Sequence, residues 1–448
     1  MASVPVPAAK RRKFHHKSRW GCAPCKKRRI KCDEKKPVCS NCFQRSVECS
    51  FKGLQPASKC QELSTVASAN FPRAIALGLP AQLSDPGGLP RFCRRNTQDS
   101  ELYYHFRVCT AAAFTKPGSP SLKKLFREDI PKLSASFPFL GHGLLSVAYI
   151  HLASMSQQET SEKLLTESAY HVNQALPGYL ESIKNITAEN SSALFGFAMF
   201  VVLISFANSS EEAGVLLQRA KDQPYKPEEA HSLSAAAARV AHCIQNIFGI
   251  FWRCQQWISS GPLSPAIRRY IPPALNGDLL EWIRVEDKRL MALSRLWEDD
   301  PTVTLAHSYA LSASLTCLRD TFAMVTQLIV LPPPKNDEEN EVGTRRHDLT
   351  EIHRELSAGR LDDYPSVFTW YIRLSPDFIG LMEEGNAYAM AVLAHYAIIL
   401  DRACSDRWWA CRLPQHFVSI AEFILGEDRR GWIEWPLMVV TDLDHTRG

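Results

Sequence analysis

The 448-residue sequence lacks a long apolar run. Its longest, residues 193 to 207, is fifteen residues and contains Gly196 and Ser205, short of the ~20 that a membrane-spanning helix needs. A buried helix is expected there, and no membrane span. The first ten residues hold no apolar core ahead of their basic cluster, so no secretory leader is expected and the chain should stay inside the cell. Catalytic signatures are also missing. There is no G-x-S-x-G elbow, no phosphate loop ending in G-K-S/T, no H-E-x-x-H and no G-x-G-x-x-G after a strand. Gly141-His142-Gly143 stands without a supporting constellation. An enzyme is not expected, and a helical enzyme with an unrecognised site is the weakest reading considered. Net charge is small as well: 52 basic against 47 acidic residues give +5, which alone suggests no nucleic-acid partner. With 45% hydrophobic and 22% charged residues the chain can bury a sizeable core, which excludes wholesale disorder.

What is present is unevenly placed. Residues 1 to 52 carry fifteen Lys or Arg and three acids, a local +12, leaving 37 bases against 44 acids, or −7, from 53 onwards. A strongly cationic end precedes a mildly acidic bulk. The same end holds six of the fourteen cysteines: Cys22, Cys25, Cys32, Cys39, Cys42 and Cys49, spaced C-x2-C-x6-C-x6-C-x2-C-x6-C, two near-identical half-units in tandem. In a reducing compartment such crowding points to metal rather than disulfides. Two residues of turn bring both sulfurs of each C-x2-C pair to one side, and the x6 gap leaves room for a short helix before the third ligand. Three thiolates per half leave each ion one short of tetrahedral zinc. Two ions both reach four ligands only if two sulfurs are shared.

The segment 22 to 49, CAPCKKRRIKCDEKKPVCSNCFQRSVEC, resembles the fungal binuclear zinc cluster (Zn2Cys6) of transcription factors in all six ligands, in the basic run after the second Cys and in Pro37 two residues before the fourth. The resemblance implies two zinc ions per chain: Cys22 and Cys39 bridge both, Cys25 and Cys32 complete one, and Cys42 and Cys49 complete the other. Pro37 then shapes the loop between the halves. Structural zinc of this kind supplies on the order of 10 kcal/mol or more of folding free energy, so the segment should be unfolded without metal.

A zinc store or a protein-docking cluster would need no asymmetry between the halves. Positions 26 to 31, Lys-Lys-Arg-Arg-Ile-Lys, are nevertheless five-sixths basic, whereas 43 to 48 hold one Arg and one Glu. Six thiolates and two Zn²⁺ sum to −2 and repel DNA, which the surrounding cations must outweigh. A helix following Cys25 is expected to enter the major groove of double-stranded DNA. By the resemblance, Arg28 and Arg29 contact bases while Lys26, Lys27 and Lys31 contact the backbone. Lys10, Arg11, Arg12 and Lys13 read as a nuclear import signal, with a DNA-backbone arm as a compatible second role. His15 and His16 are expected to be solvated, since six sulfurs already satisfy both zincs.

The expected architecture is a small cluster module with two short helices around two zincs (20–52) after a basic disordered arm (1–19). A flexible linker (53–99) rich in Pro and Gly follows, and then a large all-helical regulatory domain (100–448). Many relatives continue from the cluster into a dimerising coiled coil, but no a/d heptad is sustained here, so a monomer or a dimer through the C-terminal domain is expected. Residues 144 to 155 (LLSVAYIHLASM) and 388 to 400 (YAMAVLAHYAIIL) are apolar almost all round and should be central. Residues 278 to 297 should form an amphipathic outer layer, and 332 to 341 a turn and an exposed loop. The segments YYHFR, FPFLGHGLLSVAYIHLASM, AHYAIILDR and WIEWP are similar to the regulatory domain of sterol uptake control protein-like fungal regulators. That resemblance implies a hydrophobic, sterol-like ligand, nuclear action, and control of a sterol, lipid or secondary-metabolite pathway. An alternative makes the helical domain a ligand sensor or protein-interaction module with DNA binding secondary. Nine of the ten Trp lie between 252 and 435 and are expected in the core, as is His395. Cys60, Cys93, Cys109, Cys243, Cys254, Cys317, Cys404 and Cys411 show no metal-like spacing and are expected as buried free thiols.

Overall fold

The computed structural model describes residues 22–30, 32–33, 39–45, 47, 49, 97–114, 120–221, 227–267, 277–331, 348–358, 361, 364–404, 407–410 and 412–441. The basic arm with Lys10 to Lys13, His15 and His16, residues 53–96 of the linker, Lys31, Pro37 and the 332–341 loop lie outside these residues, while 97–99, counted with the linker, begin a helix. The chain divides into two compact units, Met1–Pro86 and Gly87–Gly448.

Among the described residues the first unit contains two short helices, α1 (Ala23–Lys27) and α2 (Ser40–Phe43). Among these residues the buried cluster consists of six cysteines with Ile30 packed against them. Little apolar surface is available to hold 28 residues together, which makes metal ligation the dominant source of cohesion.

Among the described residues the second unit contains helices and no strand. It opens with α3 (Thr97–His105), which runs through a π-helical turn at Phe106–Thr110 into Ala111–Phe114. The long helices that follow are α4 (Pro138–Ser154), α5 (Gln158–Lys184), α6 (Ala188–Lys221) and α7 (Pro227–Ser260). Three-residue connections join α4 to α5 and α5 to α6; α4 packs along α5, whereas α6 packs along α7 and across α4 and touches α5 little. Gly143 makes one of these approaches possible. A Cβ there would lie 2.6 Å from Phe197 Cδ2 across the α4–α6 crossing.

The remaining elements include α8 (Gly277–Met291), α9 (Leu305–Val330), α10 (Ala387–Cys404) and α11 (Leu413–Arg429). Residues 144–153 of α4 and 389–404 of α10 are buried on every side, which puts both expected central helices in the core. Ser375 caps the helix Pro376–Glu383, which ends in a Schellman turn. There Gly385, at φ +68°, donates to Met382 O (3.1 Å) and Asn386 to Leu381 O (2.9 Å). The Asn386 side chain then caps α10 by accepting from the Tyr388 and Ala389 N–H groups. In the outer layer, α8 turns Leu279, Ile283 and Leu290 inward.

Trp297, Trp370 and Trp409 are buried as expected, and Trp370 stacks on Tyr396 at 4.4 Å. Trp252 departs from that expectation, being 62% exposed. Cys254, Cys317 and Cys404 are buried thiols and Cys243 is half-buried, but Cys109 is exposed because the π-helical turn at Phe106–Thr110 carries it to the outer side. Cys60, Cys93 and Cys411 lie outside the described residues. Residues Ala188–Ala220 and Ala387–Cys404 are long and apolar enough to cross a membrane, a correction to the estimate from run length alone. Their most apolar windows are 72% and 89% buried among other helices, the pattern of core helices.

Candidate metal centre

Both halves of the first unit are built alike. Cys22 (φ −59°, ψ 153°) precedes α1 and Cys39 (φ −68°, ψ 149°) precedes α2, each in the cap position. Cys25 and Cys42 are then third in their helices, and one helical turn brings each pair of sulfurs together. Five residues beyond the second Cys the chain returns to it: Ile30 N–H donates to Cys25 O (3.1 Å) and Val47 N–H to Cys42 O (3.0 Å). Asp33, just after the third Cys, ties the halves by accepting from Ser40 N–H (3.1 Å) and Ser40 Oγ (2.5 Å) at the start of α2. Sequence reasoning passed over Asp33; its only signal was an acid seven residues before a Ser in the first helical position.

The six sulfurs form two groups of four: Cys22, Cys25, Cys32, Cys39, and Cys22, Cys39, Cys42, Cys49, all within 4.8 Å of one another in each group. Cys22 and Cys39 belong to both. The Sγ–Sγ distances for Cys22–Cys39, Cys22–Cys42 and Cys25–Cys39 are each 3.6 Å. Four sulfurs at ~2.3 Å around a tetrahedral zinc stand about 3.8 Å apart, whereas a disulfide would bring two of them to ~2.05 Å. The residues present therefore fit zinc, held by thiolates in a closed structural site. All six cysteines are at most 2% exposed.

Burial pushes the Cys22 and Cys42 thiols up and Cys25 up to about 12. Burial acts on Cys39 in the same direction, but the Cys42 N–H and the thiols of Cys42, Cys25 and Cys22 outweigh it and bring Cys39 down to about 6. Metal entry must displace the remaining protons, so uptake is coupled to pH.

The basic run does not form the helix expected after Cys25. Helix α1 starts before Cys25 and ends at Lys27. Arg28 caps it and Arg29, at φ +56°, takes the left-handed position of a Schellman turn, with Arg29 N–H donating to Lys26 O (3.1 Å) and Ile30 N–H to Cys25 O. A non-glycine residue there costs about 1 kcal/mol. The physical reason is closure, because the chain must turn back for Cys32 to join the first sulfur group. Lys26, Lys27 and Arg29 are exposed. Arg28 is half-buried, and its guanidinium is engaged with Pro24 O and Cys42 Sγ.

Residues 20–61 match the fungal Zn(2)-Cys(6) binuclear cluster domain. That match is confined to the cysteine module and its flanks. Among relatives, the chain is 28% identical over 195 residues to the Zn(2)-C6 fungal-type transcription factor afumD of Aspergillus fumigatus, a match covering 43% of this chain and 48% of that protein. It therefore spans about half the length of that relative. It is 23% identical over 96% of its own length to a Zn(2)-C6 fungal-type transcription factor of Gibberella zeae, covering 86% of that protein. Likeness to sterol uptake control protein 2 of Candida albicans is higher, 56%, but spans 41 residues, 9% of this chain, in the cluster region. These relatives carry the names of regulators, in keeping with the missing catalytic signatures.

In the helical unit, a cavity of about 310 Å³ lies between α8 and α9, lined by Arg284, Glu286, Asp287, Arg319 and Asp320 together with Ile283, Thr316, Phe322 and Ala323. Arg319 pairs with Asp287 in a two-pronged contact (2.6 and 2.8 Å) that holds the carboxyl below its usual range. His395 is a core residue, 4% exposed, donating from Nδ1 to Ala391 O (2.8 Å). His142 meets His171 (Nδ1–Nδ1 3.0 Å) inside the helical packing, and His171 Nε2 lies 3.5 Å from Asp99 Oδ1.

Proposed function

We propose that this chain is a sequence-specific DNA-binding regulator of RNA polymerase II genes that acts in the nucleus, with Lys10, Arg11, Arg12 and Lys13 as its import signal. The observation that carries the reading is the pairing of two groups of four sulfurs, which share Cys22 and Cys39, with a cluster of exposed cations on the first half (Lys26, Lys27, Arg29) against Arg45 on the second. Two zinc ions would be held by Cys22, Cys25, Cys32, Cys39, Cys42 and Cys49. When bound they supply rigidity rather than chemistry. The chain's own residues then do the work: α1 and its closing turn hold Lys26, Lys27 and Arg29 outward, and Lys31 adds a further cation to the same run. A rigid cationic edge loses little conformational freedom on meeting a duplex, and its charges displace counterions from phosphates.

The helical unit supplies regulation in this reading, and the names of the relatives support it. The cavity between α8 and α9 mixes apolar side chains (Ile283, Phe322, Ala323) with charged ones and selects no ligand class. Assignment to a sterol, lipid or secondary-metabolite pathway rests on the resemblance of sequence segments. The test is selection of random duplexes by the zinc-loaded full chain. One recurring motif should be enriched, and binding should be lost after chelation. Arg29→Ala should relax choice at one base position at a cost of ~1–3 kcal/mol. Equal loss on every duplex would make Arg29 a phosphate contact, and no enrichment at all would overturn the reading.

A further inference from the structure

The geometry points to Arg28 as a positioning residue of the metal centre, one that ties the two half-units through a hydrogen bond to a ligand sulfur, and not as a reader of bases. Sequence reasoning grouped Arg28 with Arg29 because nothing in a run of four cations distinguishes one from the next. In the folded unit they are unlike. Arg29 is exposed beyond the closing turn of α1. Arg28 is half-buried and folds back along its own helix, with Nε donating to Pro24 O at 3.1 Å and Nη2 donating to Cys42 Sγ at 3.5 Å.

The two bonds use the guanidinium as a fork. One prong anchors it to the first helix, and the other crosses to the second half-unit. Cys42 is the sulfur it reaches, and Cys42 belongs to only one of the two sulfur groups, so the bond acts on a single metal position. A donor at a thiolate stabilises the charged sulfur and places a full positive charge against a core whose thiolates and zincs sum to −2. Donors of this kind around a metal orient the ligand and set how tightly the ion is held, typically by 10–100-fold in affinity. Lysine could keep the charge but not the fork, since its single ammonium cannot reproduce the planar pair of N–H directions. Base reading on this edge therefore passes to Arg29. This last step rests on the DNA-binding reading above, whereas the link from Arg28 to Cys42 does not.

The experiment uses the full chain loaded with cadmium-113 for NMR and with zinc for release to a chromogenic chelator, comparing wild type, Arg28→Lys, Arg28→Ala and Arg29→Ala. Arg28→Lys should shift one of the two cadmium resonances, leave the other in place, and speed release of one zinc about tenfold or more. Arg29→Ala should match wild type in both measurements. If Arg28→Ala fails to take up two ions, Arg28→Lys decides. On selected duplexes Arg28→Lys should weaken binding evenly and leave the preferred motif unchanged. Unmoved resonances and wild-type release in Arg28→Lys would overturn the proposal, as would a changed base preference in that variant. A wild-type chain that enriches no motif would instead sink the DNA-binding reading and leave the cadmium result standing.

Discussion

Removing one member of the Glu286–Arg402 pair should destabilise the helical unit more than removing both. Arg402 Nη2 lies 2.7 Å from Glu286 Oε1, with side-chain exposures of 9% and 6%. Thr326 completes a triangle: its Oγ1 donates to Glu286 Oε2 (3.0 Å) and accepts from Arg402 Nη1 (3.3 Å). The guanidinium also stands over the Phe322 ring at 5.5 Å. Little water reaches this group, so each charge depends on the other for solvation. Glu286→Gln leaves a buried guanidinium without its counter-charge, for which ~3–5 kcal/mol is expected. At ~2 °C per kcal/mol for a unit of this size, the midpoint should fall by ~6–10 °C. Glu286→Met with Arg402→Met removes both charges at similar volume and should lie within ~1–2 kcal/mol of wild type. The assay is urea denaturation of the full chain followed by far-UV circular dichroism, which the helical unit dominates. A cost below ~1 kcal/mol for Glu286→Gln would show the pair to be solvated. A double variant as unstable as the single would show that the site needs its shape rather than its charge balance. Either result refutes the reasoning.

Other outcomes follow from the same structure. Chelation should remove metal and the fold of the cysteine unit together, while the helical signal changes little; a large loss of helicity would contradict a small unit held chiefly by metal. Gly143→Ala places a Cβ at 2.6 and 2.9 Å from Phe197 and should cost ~1–3 kcal/mol in the same denaturation assay, with Phe197→Leu recovering part of it. Burial holds the His395 imidazole down at about 4, against ~6.5 unfolded. Its contribution is therefore intact above pH 6.5 and is lost as the pH falls towards 4, amounting to ~2 kcal/mol by pH 5. His395→Gln should flatten the difference in stability between pH 7.5 and pH 5 by that amount, and an unchanged slope would show that His395 titrates alike in the folded and unfolded chain.

Some of this was legible in the sequence because it depends on period and spacing. Residues 144 to 155 and 388 to 400 are apolar on every face, and such segments can lie only inside a helical packing. The sharing of Cys22 and Cys39 rests on ligand arithmetic and on the resemblance, and the sulfurs stand in those two groups. What escaped depends on contacts made in three dimensions. Cys109 looked like the other thiols until a π-helical turn carried it outward. No pattern in residues 278 to 330 announced that α8 and α9 would border a cavity with an Arg319–Asp287 pair in its wall, because the two are 32 positions apart and each alone reads as an ordinary surface residue.

The basic run shows most clearly where reading by type ends. Lys26, Lys27, Arg28 and Arg29 are equivalent by charge, and any helical wheel would fan them evenly around α1. Their fates separate because the helix must stop early enough for Cys32 to return to the sulfurs. The stop puts Arg28 at the cap, where its side chain can fold back to Pro24 O and Cys42, and puts Arg29 in the left-handed turn that faces outward. In the proposed reading, closure of the chain onto the sulfurs is what assigns Arg28 to the cluster and leaves Arg29 on the surface.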